Sequence, residues 1–256
     1  MAAAIGNLIL AIDIGNSSAR AGIVDRNTLR CERRCFCPTA DAVERLPGHI
    51  AVLVGSGTAE PFPLKISCVV PSVRAQLGEE LNGIAGIASP LWVQYHRNLP
   101  LRFSYDSPSR LGADRIANCL YARAAHAGEN VVVIDAGSAI TVDCVSAEGV
   151  FAGGAIFPGL AMQLAGLHGS AAQLPPLDPS KAPPAFPGSS TEKCMQAGVL
   201  YGTVGALREL IRKSENCVGP VSVLTCGGAW PLLSPLVNFP YSFVPELTLV
   251  GTALFE

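Results

Sequence analysis

Apolar positions along this chain fall into short runs and helical rows. Runs predict strands at 8–12 and 19–24, joined as a hairpin, then at 50–54, 65–70 and 91–95. Pro71 stops the run at 65–70, as it would a buried strand. Residues 73–81 and 111–127 read as helices. In the second, Ile116, Leu120 and Ala124 form one row at i+4 spacing, Ala113, Ala117 and Tyr121 form the next, and Gly128 is placed to cap the end. The later half opens with strands at 131–134 and 140–145, then a glycine-rich return through Gly149, Gly153, Gly154, Pro158 and Gly159. Prolines at 175, 176, 179, 183, 184 and 187 predict an extended loop over 174–188. Ser189 as N-cap and Glu192 three residues on form a capping box. The helix it starts carries Met195, Val199, Thr203, Leu207 and Ile211 at i+4 spacing. A strand at 221–226, ended by Gly227-Gly228, and a short helix at 249–255 close the chain. Strands mixed with helical patterns make this an α/β protein.

Two of these segments match. Leu8 to Ser18 and Val131 to Ala139 each run from an apolar strand into Asp-X-Gly, with hydroxyl side chains just beyond and an apolar stretch returning. The aspartates, Asp13 and Asp135, stand about half a chain apart. A duplicated domain follows, with a division at 1–118 and 119–256.

Composition narrows the function. Hydrophobic residues make up 49% of the 256 and charged residues 15%, so core material is ample and some is left for a subunit interface. A net charge of -2, without a polybasic run, argues against nucleic acid. No apolar run approaches the roughly 18 residues of a membrane span, and the N-terminal stretch lacks the basic flank of a signal peptide. Nine cysteines without a framework read as reduced thiols in a cytoplasm. Cys31, Cys35 and Cys37 lie close but lack a second ligand cluster. His49, His96, His126 and His168 have no ligand-like spacing.

Phosphoryl transfer asks for an anion cradle, a divalent cation, a placed nucleophile and charge neutralisation. Gly15 and Gly137 permit a sharp turn and close approach of a ligand, and amides exposed there can bind phosphate oxygens. Asn16, Ser17, Ser18 and Ser138 add neutral donors. Asp13 and Asp135 can hold Mg2+ directly or through its waters. The plain alternative is a pair of strand-end turns with Asx hydrogen bonds, and the repetition weighs against it. Neither a Walker loop nor the dinucleotide fingerprint is present. Asp114 near a helix start also has a plain reading, as a negative charge at the positive end of the dipole.

Asp13-Ile14-Gly15-Asn16-Ser17, Gly112-Ala113-Asp114-Arg115 and Asp135-Ala136-Gly137-Ser138 together resemble the type III pantothenate kinase family. Residues 153–159 and Thr191 with Met195-Gln196-Ala197-Gly198 extend the resemblance, in the family's order, from residue 8 to about residue 230. It implies two ribonuclease-H-like (actin-like ATPase) domains with an ATP cleft between them. It implies transfer of the ATP γ-phosphate to pantothenate, the first step of coenzyme A synthesis. A monovalent cation, K+ or NH4+, and a homodimer are implied as well. Carried over by motif, Asp114 is the catalytic base. Tyr105, Gly112, Ala113, Arg115 and Thr191 contact pantothenate. Asp13, Ile14, Gly15, Asn16, Ser17, Ser18, Ala19 and Arg20 form the first ATP loop, Ser138 belongs to the second, and Asp135 holds the monovalent cation. Ser17 and Ser138 stand where the family favours threonine, keeping the hydroxyl. Ala136 replaces a bulkier residue, and the proline-rich segment could reshape a wall of the substrate pocket. Rival readings are another small-molecule kinase of this fold, a non-catalytic ATP-binding protein, and a nucleotide or polyphosphate phosphatase.

Overall fold

A computed structural model describes residues 7–55, 60–81, 84–179 and 185–256. The chain folds as two compact units, Met1–Ala127 with Glu246–Glu256, and Gly128–Pro245. The helix that carries Asp114, Ala113–Ala125, lies whole in the first unit.

The first unit contains β1 (Leu8–Ile14), β2 (Ser18–Asp25), β3 (Arg30–Pro38), α1 (Ala42–Val54), β4 (Leu64–Cys68), α2 (Pro71–Leu81), the two-residue strands β5 (Leu91–Trp92) and β6 (Arg102–Phe103), and α3 (Ala113–Ala125). Its sheet runs β3-β2-β1-β4-β5. The β1–β2 and β2–β3 pairs are antiparallel, and β1–β4 and β4–β5 are parallel. Strand alternation sends Leu10, Ile12 and Ile14 to one face, where they join Leu46 and Ile50 of α1 and Val73, Leu77 and Leu81 of α2 in one core. Ile9 and Ala11, on the other face, are also buried. On that side α3 packs against β4 and against a helix from the chain's end.

The strand expected at 50–54 is instead the last turns of α1. A short apolar run cannot by itself separate strand from helix. Here Ala42, Leu46, Ile50 and Val54 are buried at i+4 spacing, and that face packs on the sheet although Pro47 lies inside the helix.

The second unit holds β7 (Val131–Ala136), β8 (Ala139–Val145), β9 (Val150–Pro158), α4 (Leu160–Ser170), α5 (Thr191–Val218), β10 (Ser222–Cys226), α6 (Trp230–Leu233) and β11 (Ser242–Phe243). Its strands follow the order β11-β10-β7-β8-β9. Again β7–β8 and β8–β9 are antiparallel, and β7–β10 and β10–β11 are parallel. Even the irregularity between second and third strands recurs, after Ile23 in one unit and after Cys144 in the other. The duplication read from the two Asp-X-Gly segments therefore extends to the whole sheet.

Met195, Val199, Thr203, Leu207 and Ile211 of α5 are all buried, as their spacing predicts. The N-cap is Ser190, one residue later than expected, and its Oγ accepts from the Lys193 amide at 3.3 Å. Residues 180–184 of the proline-rich segment lie outside the described residues; those described around them form no helix or strand. The closing helix, α7 (Leu247–Leu254), starts two residues earlier than expected and belongs to the first unit, beside α3 and β1.

Candidate active site

Asp13 is carried one residue before the end of β1. The Gly15 amide donates to the Ser18 carbonyl at 3.0 Å, which closes a tight turn with Asn16 and Ser17 exposed at its tip. Arg20 of β2 and Ser67 of β4 are Asp13's cross-strand neighbours. Ile14 and Ala19 are fully buried, so only their backbones can meet a ligand. A Cβ on Gly15 would meet nothing nearer than the Ser18 oxygen at 3.5 Å, and one on Gly137 nothing nearer than the Ala139 oxygen at 3.5 Å. Neither glycine is forced by the packing around it.

At the end of β4, the Val69 amide donates to the Ile14 carbonyl at 3.1 Å, tying that strand end to the loop. The start of α3 is the next neighbour. A Cβ on Gly112 would lie 2.5 Å from Asp114 Oδ1 and 3.9 Å from Val69 Cγ1. Gly112 caps α3 through its carbonyl alone, accepting from Ile116 at 3.1 Å. Asp114 Oδ1 accepts from the Arg115 amide at 2.8 Å. Withdrawal from water pushes the Asp114 carboxyl above its ordinary value, while the Arg115 amide and then its guanidinium pull it back. A surface charge complementing the dipole would not be desolvated in this way. Arg115 and Ala113 are buried. Tyr105 is 39% exposed, beyond β6.

The second loop repeats the first. Asp135 stands one residue before the end of β7, and the Gly137 amide donates to the Ala139 carbonyl at 3.1 Å. The Ala229 amide donates to the Ala136 carbonyl at 2.9 Å, as Val69 does to Ile14. Gly227 is needed for that approach: a Cβ there would lie 2.4 Å from the Ala136 carbonyl, whereas Gly228 faces open space. Ser138 is half-buried, and Thr191 is the exposed first residue of α5.

The first unit thus brings Asp13, its turn, the end of β4 and Asp114 side by side. Asp135 and Ser138 share the second unit's turn. Sequence reading missed Ser67, Val69 and Thr39. Ser67 was marked only by alternation within β4, and Thr39 only by its place after the proline that ends β3.

Hydroxyls and exposed turn amides can donate to a nucleotide phosphate, and carboxylate oxygens can ligate a hard divalent cation. Ser67 adds to that fit: it is fully buried, and its hydroxyl has no hydrogen-bond partner among the described residues. Cys31, Cys35 and Cys37 lie along β3 with free thiols pushed up by burial. No helix among the described residues is long and apolar enough to cross a membrane.

One five-stranded frame used twice, each copy ending in a carboxylate and a glycine turn, is the actin-like ATPase fold of two ribonuclease-H-like units. An archaeal actin homologue superposes with a TM-score of 0.50 at 10% identity, over 96% of this chain and 98% of its own. A conserved protein described as a Baf family transcriptional activator, from Campylobacter jejuni, superposes at 0.60 with 21% identity, over 95% and 94%. Both share the fold. Within it, residues 9–213 match the family model of type III pantothenate kinase. The type III pantothenate kinase of Moorella thermoacetica is 33% identical over 95% of this chain and 96% of its own. The chain belongs to the type III pantothenate kinase family.

Proposed function

We propose that this chain transfers the γ-phosphoryl group of ATP to the primary alcohol of pantothenate, giving 4'-phosphopantothenate and ADP. The observation that carries the proposal is Asp114, held at the start of α3 next to the strand end that is bonded to the first Asp-X-Gly turn.

The first turn, Asp13 to Arg20, and Ser138 of the second hold the phosphates of ATP. Asp13 would hold a divalent cation directly or through water, and the cation would supply neutralisation of the phosphate charge. Asp135 holds a monovalent cation, K+ or NH4+. Tyr105, Gly112, Ala113, Arg115 and Thr191 hold pantothenate, the Arg115 guanidinium being suited to its carboxylate or to a phosphate. Asp114 orients the alcohol. As the new oxygen–phosphorus bond forms and the bond to the ADP oxygen breaks, the alcohol proton passes to the Asp114 carboxylate. The transition state is loose, so placement of the alcohol matters more than the strength of the base. A raised pKa also suits a group that must take up a proton and release it again. The working protein is a homodimer.

The test is ADP production by the purified protein with Mg-ATP, with and without pantothenate, in potassium and in sodium buffer. Turnover that requires both pantothenate and potassium supports acceptor and cation site together. ADP release without any dependence on pantothenate would sink the assignment of the acceptor.

A further inference from the structure

We propose that Thr39 is a positioning residue for the nucleotide: its hydroxyl sets the direction of the Gly15–Asn16 peptide, and so aims the Asn16 amide at a phosphate oxygen. This rests on the reading above that the first turn binds ATP.

Thr39 follows the last residue of β3 and is 6% exposed. Its Oγ donates to the Gly15 carbonyl at 2.7 Å, and its amide donates to the Ser17 carbonyl at 3.2 Å. Both bonds take up carbonyl oxygens of the turn, the groups that would repel a phosphate. In a planar trans peptide the C=O and the following N–H point in opposite directions. Pinning the Gly15 carbonyl to Thr39 therefore fixes the Asn16 N–H pointing the opposite way within the same peptide plane. A turn whose amides are already oriented loses less entropy when an anion binds.

The second unit shows what is particular to Thr39. The residue after β9 is Gly159, and its amide donates to the Ser138 carbonyl at 3.0 Å, as the Thr39 amide does to Ser17. No side chain fits there. A Cβ on Gly159 would lie 2.3 Å from the Gly137 oxygen and 2.5 Å from the Ser138 oxygen. The second turn is thus held by close backbone packing, and the first by a hydroxyl that a single substitution removes.

Thr39→Val keeps the shape and removes the donor, and Thr39→Ser keeps the donor. The measurements are ADP affinity by calorimetry, amide hydrogen exchange over residues 13–20 without ligand, and KM for ATP and for pantothenate. Thr39→Val should weaken ADP and raise KM for ATP about fivefold, the worth of one hydrogen bond. It should speed exchange in the turn and leave KM for pantothenate unchanged, and Thr39→Ser should restore all three. ADP affinity and turn exchange equal to wild type in Thr39→Val would overturn the proposal. So would Thr39→Ser behaving as badly as Thr39→Val, since size and not the hydroxyl would then be at work. If wild-type protein binds no adenine nucleotide, the functional reading falls and takes this extension with it. Wild-type binding with an indifferent Thr39→Val removes the extension alone.

Discussion

The two units share a sheet and differ in what is hung on it. β3-β2-β1-β4-β5 and β9-β8-β7-β10-β11 match in order and direction, and each central strand ends in aspartate and a glycine turn. Matching amides brace the turns from both sides: Val69 and Thr39 in one unit, Ala229 and Gly159 in the other. The first unit adds α3, whose N-cap Gly112 lies beside Val69 at the braced strand end and beside Asp114. The second adds α4 and the long α5, whose buried face builds its core. The repeated part holds the turns proposed to cradle the phosphates. The carboxylate proposed to move a proton occurs once, on an element outside the repeated strands.

The largest effect should therefore come from the unrepeated part. Asp114→Asn should lower kcat by about 10²–10⁴-fold with ADP affinity nearly intact, measured by coupled assay and calorimetry. It should also raise Tm. Burial puts the folded pKa of Asp114 above its unfolded value. Its contribution to stability is then present below the unfolded pKa and lost as pH rises through the folded one. The asparagine variant stays neutral, so its advantage in Tm should open across that range and persist at neutral pH. Loss of kcat with an unchanged or lower Tm would mean that Asp114 is structural and not poised.

A smaller effect separates glycines that look alike in sequence. Gly159→Ala should cost about 1–3 kcal/mol in urea melts, because its Cβ meets two backbone oxygens that cannot swing away. Gly15→Ala should leave Tm within a degree or two, since its Cβ meets only ordinary contact. Its loss should appear in ATP binding. If Gly15→Ala unfolds the protein while Gly159→Ala does not, the assignment of one glycine to ligand and the other to packing is reversed.

That pair also marks how far the sequence could be read. The two Asp-X-Gly strands, α3 and α5 were legible because their apolar positions repeat with one period over many residues. α1 was not, because only its last residues, 50–54, stood out as an apolar run. β3 was not, because its side chains are mostly exposed and its place depends on β2. α7 was legible as a helix, but its return to the first unit is a tertiary fact. At the site, aspartates and glycines announced themselves by motif. Thr39 and Ser67 come beside the first turn only through pairings far off in the chain, which no local pattern records.

Lys65 provides a test of the two cores. It sits beside Ala11 in β4, where the matching place in β10 holds the buried Leu224. Its ammonium donates to the Ala253 carbonyl at 2.9 Å, and burial, aided by Arg26 and opposed by Glu256, lowers its pKa to about 8. The neutral amine is what the fold favours, so stability should rise with pH between about 8 and the unfolded value of 10.5. Lys65→Leu, which copies the second unit, should flatten that rise in denaturant titrations at pH 7 and pH 10. A rise that survives the substitution would assign it to another group.

The smallest effect concerns how the two long helices begin. α5 is capped by the Ser190 side chain, whereas α3 begins at Gly112 with no side-chain cap. Asp114 Oδ1 takes over part of that task on α3 by accepting from the Arg115 amide. A serine in place of Gly112 would push that oxygen aside, because a Cβ there would lie 2.5 Å from it. Ser190→Ala should cost about 1 kcal/mol, read as a lower midpoint in urea. An unchanged midpoint would mean that the Ser190 hydroxyl contributes nothing to the start of α5.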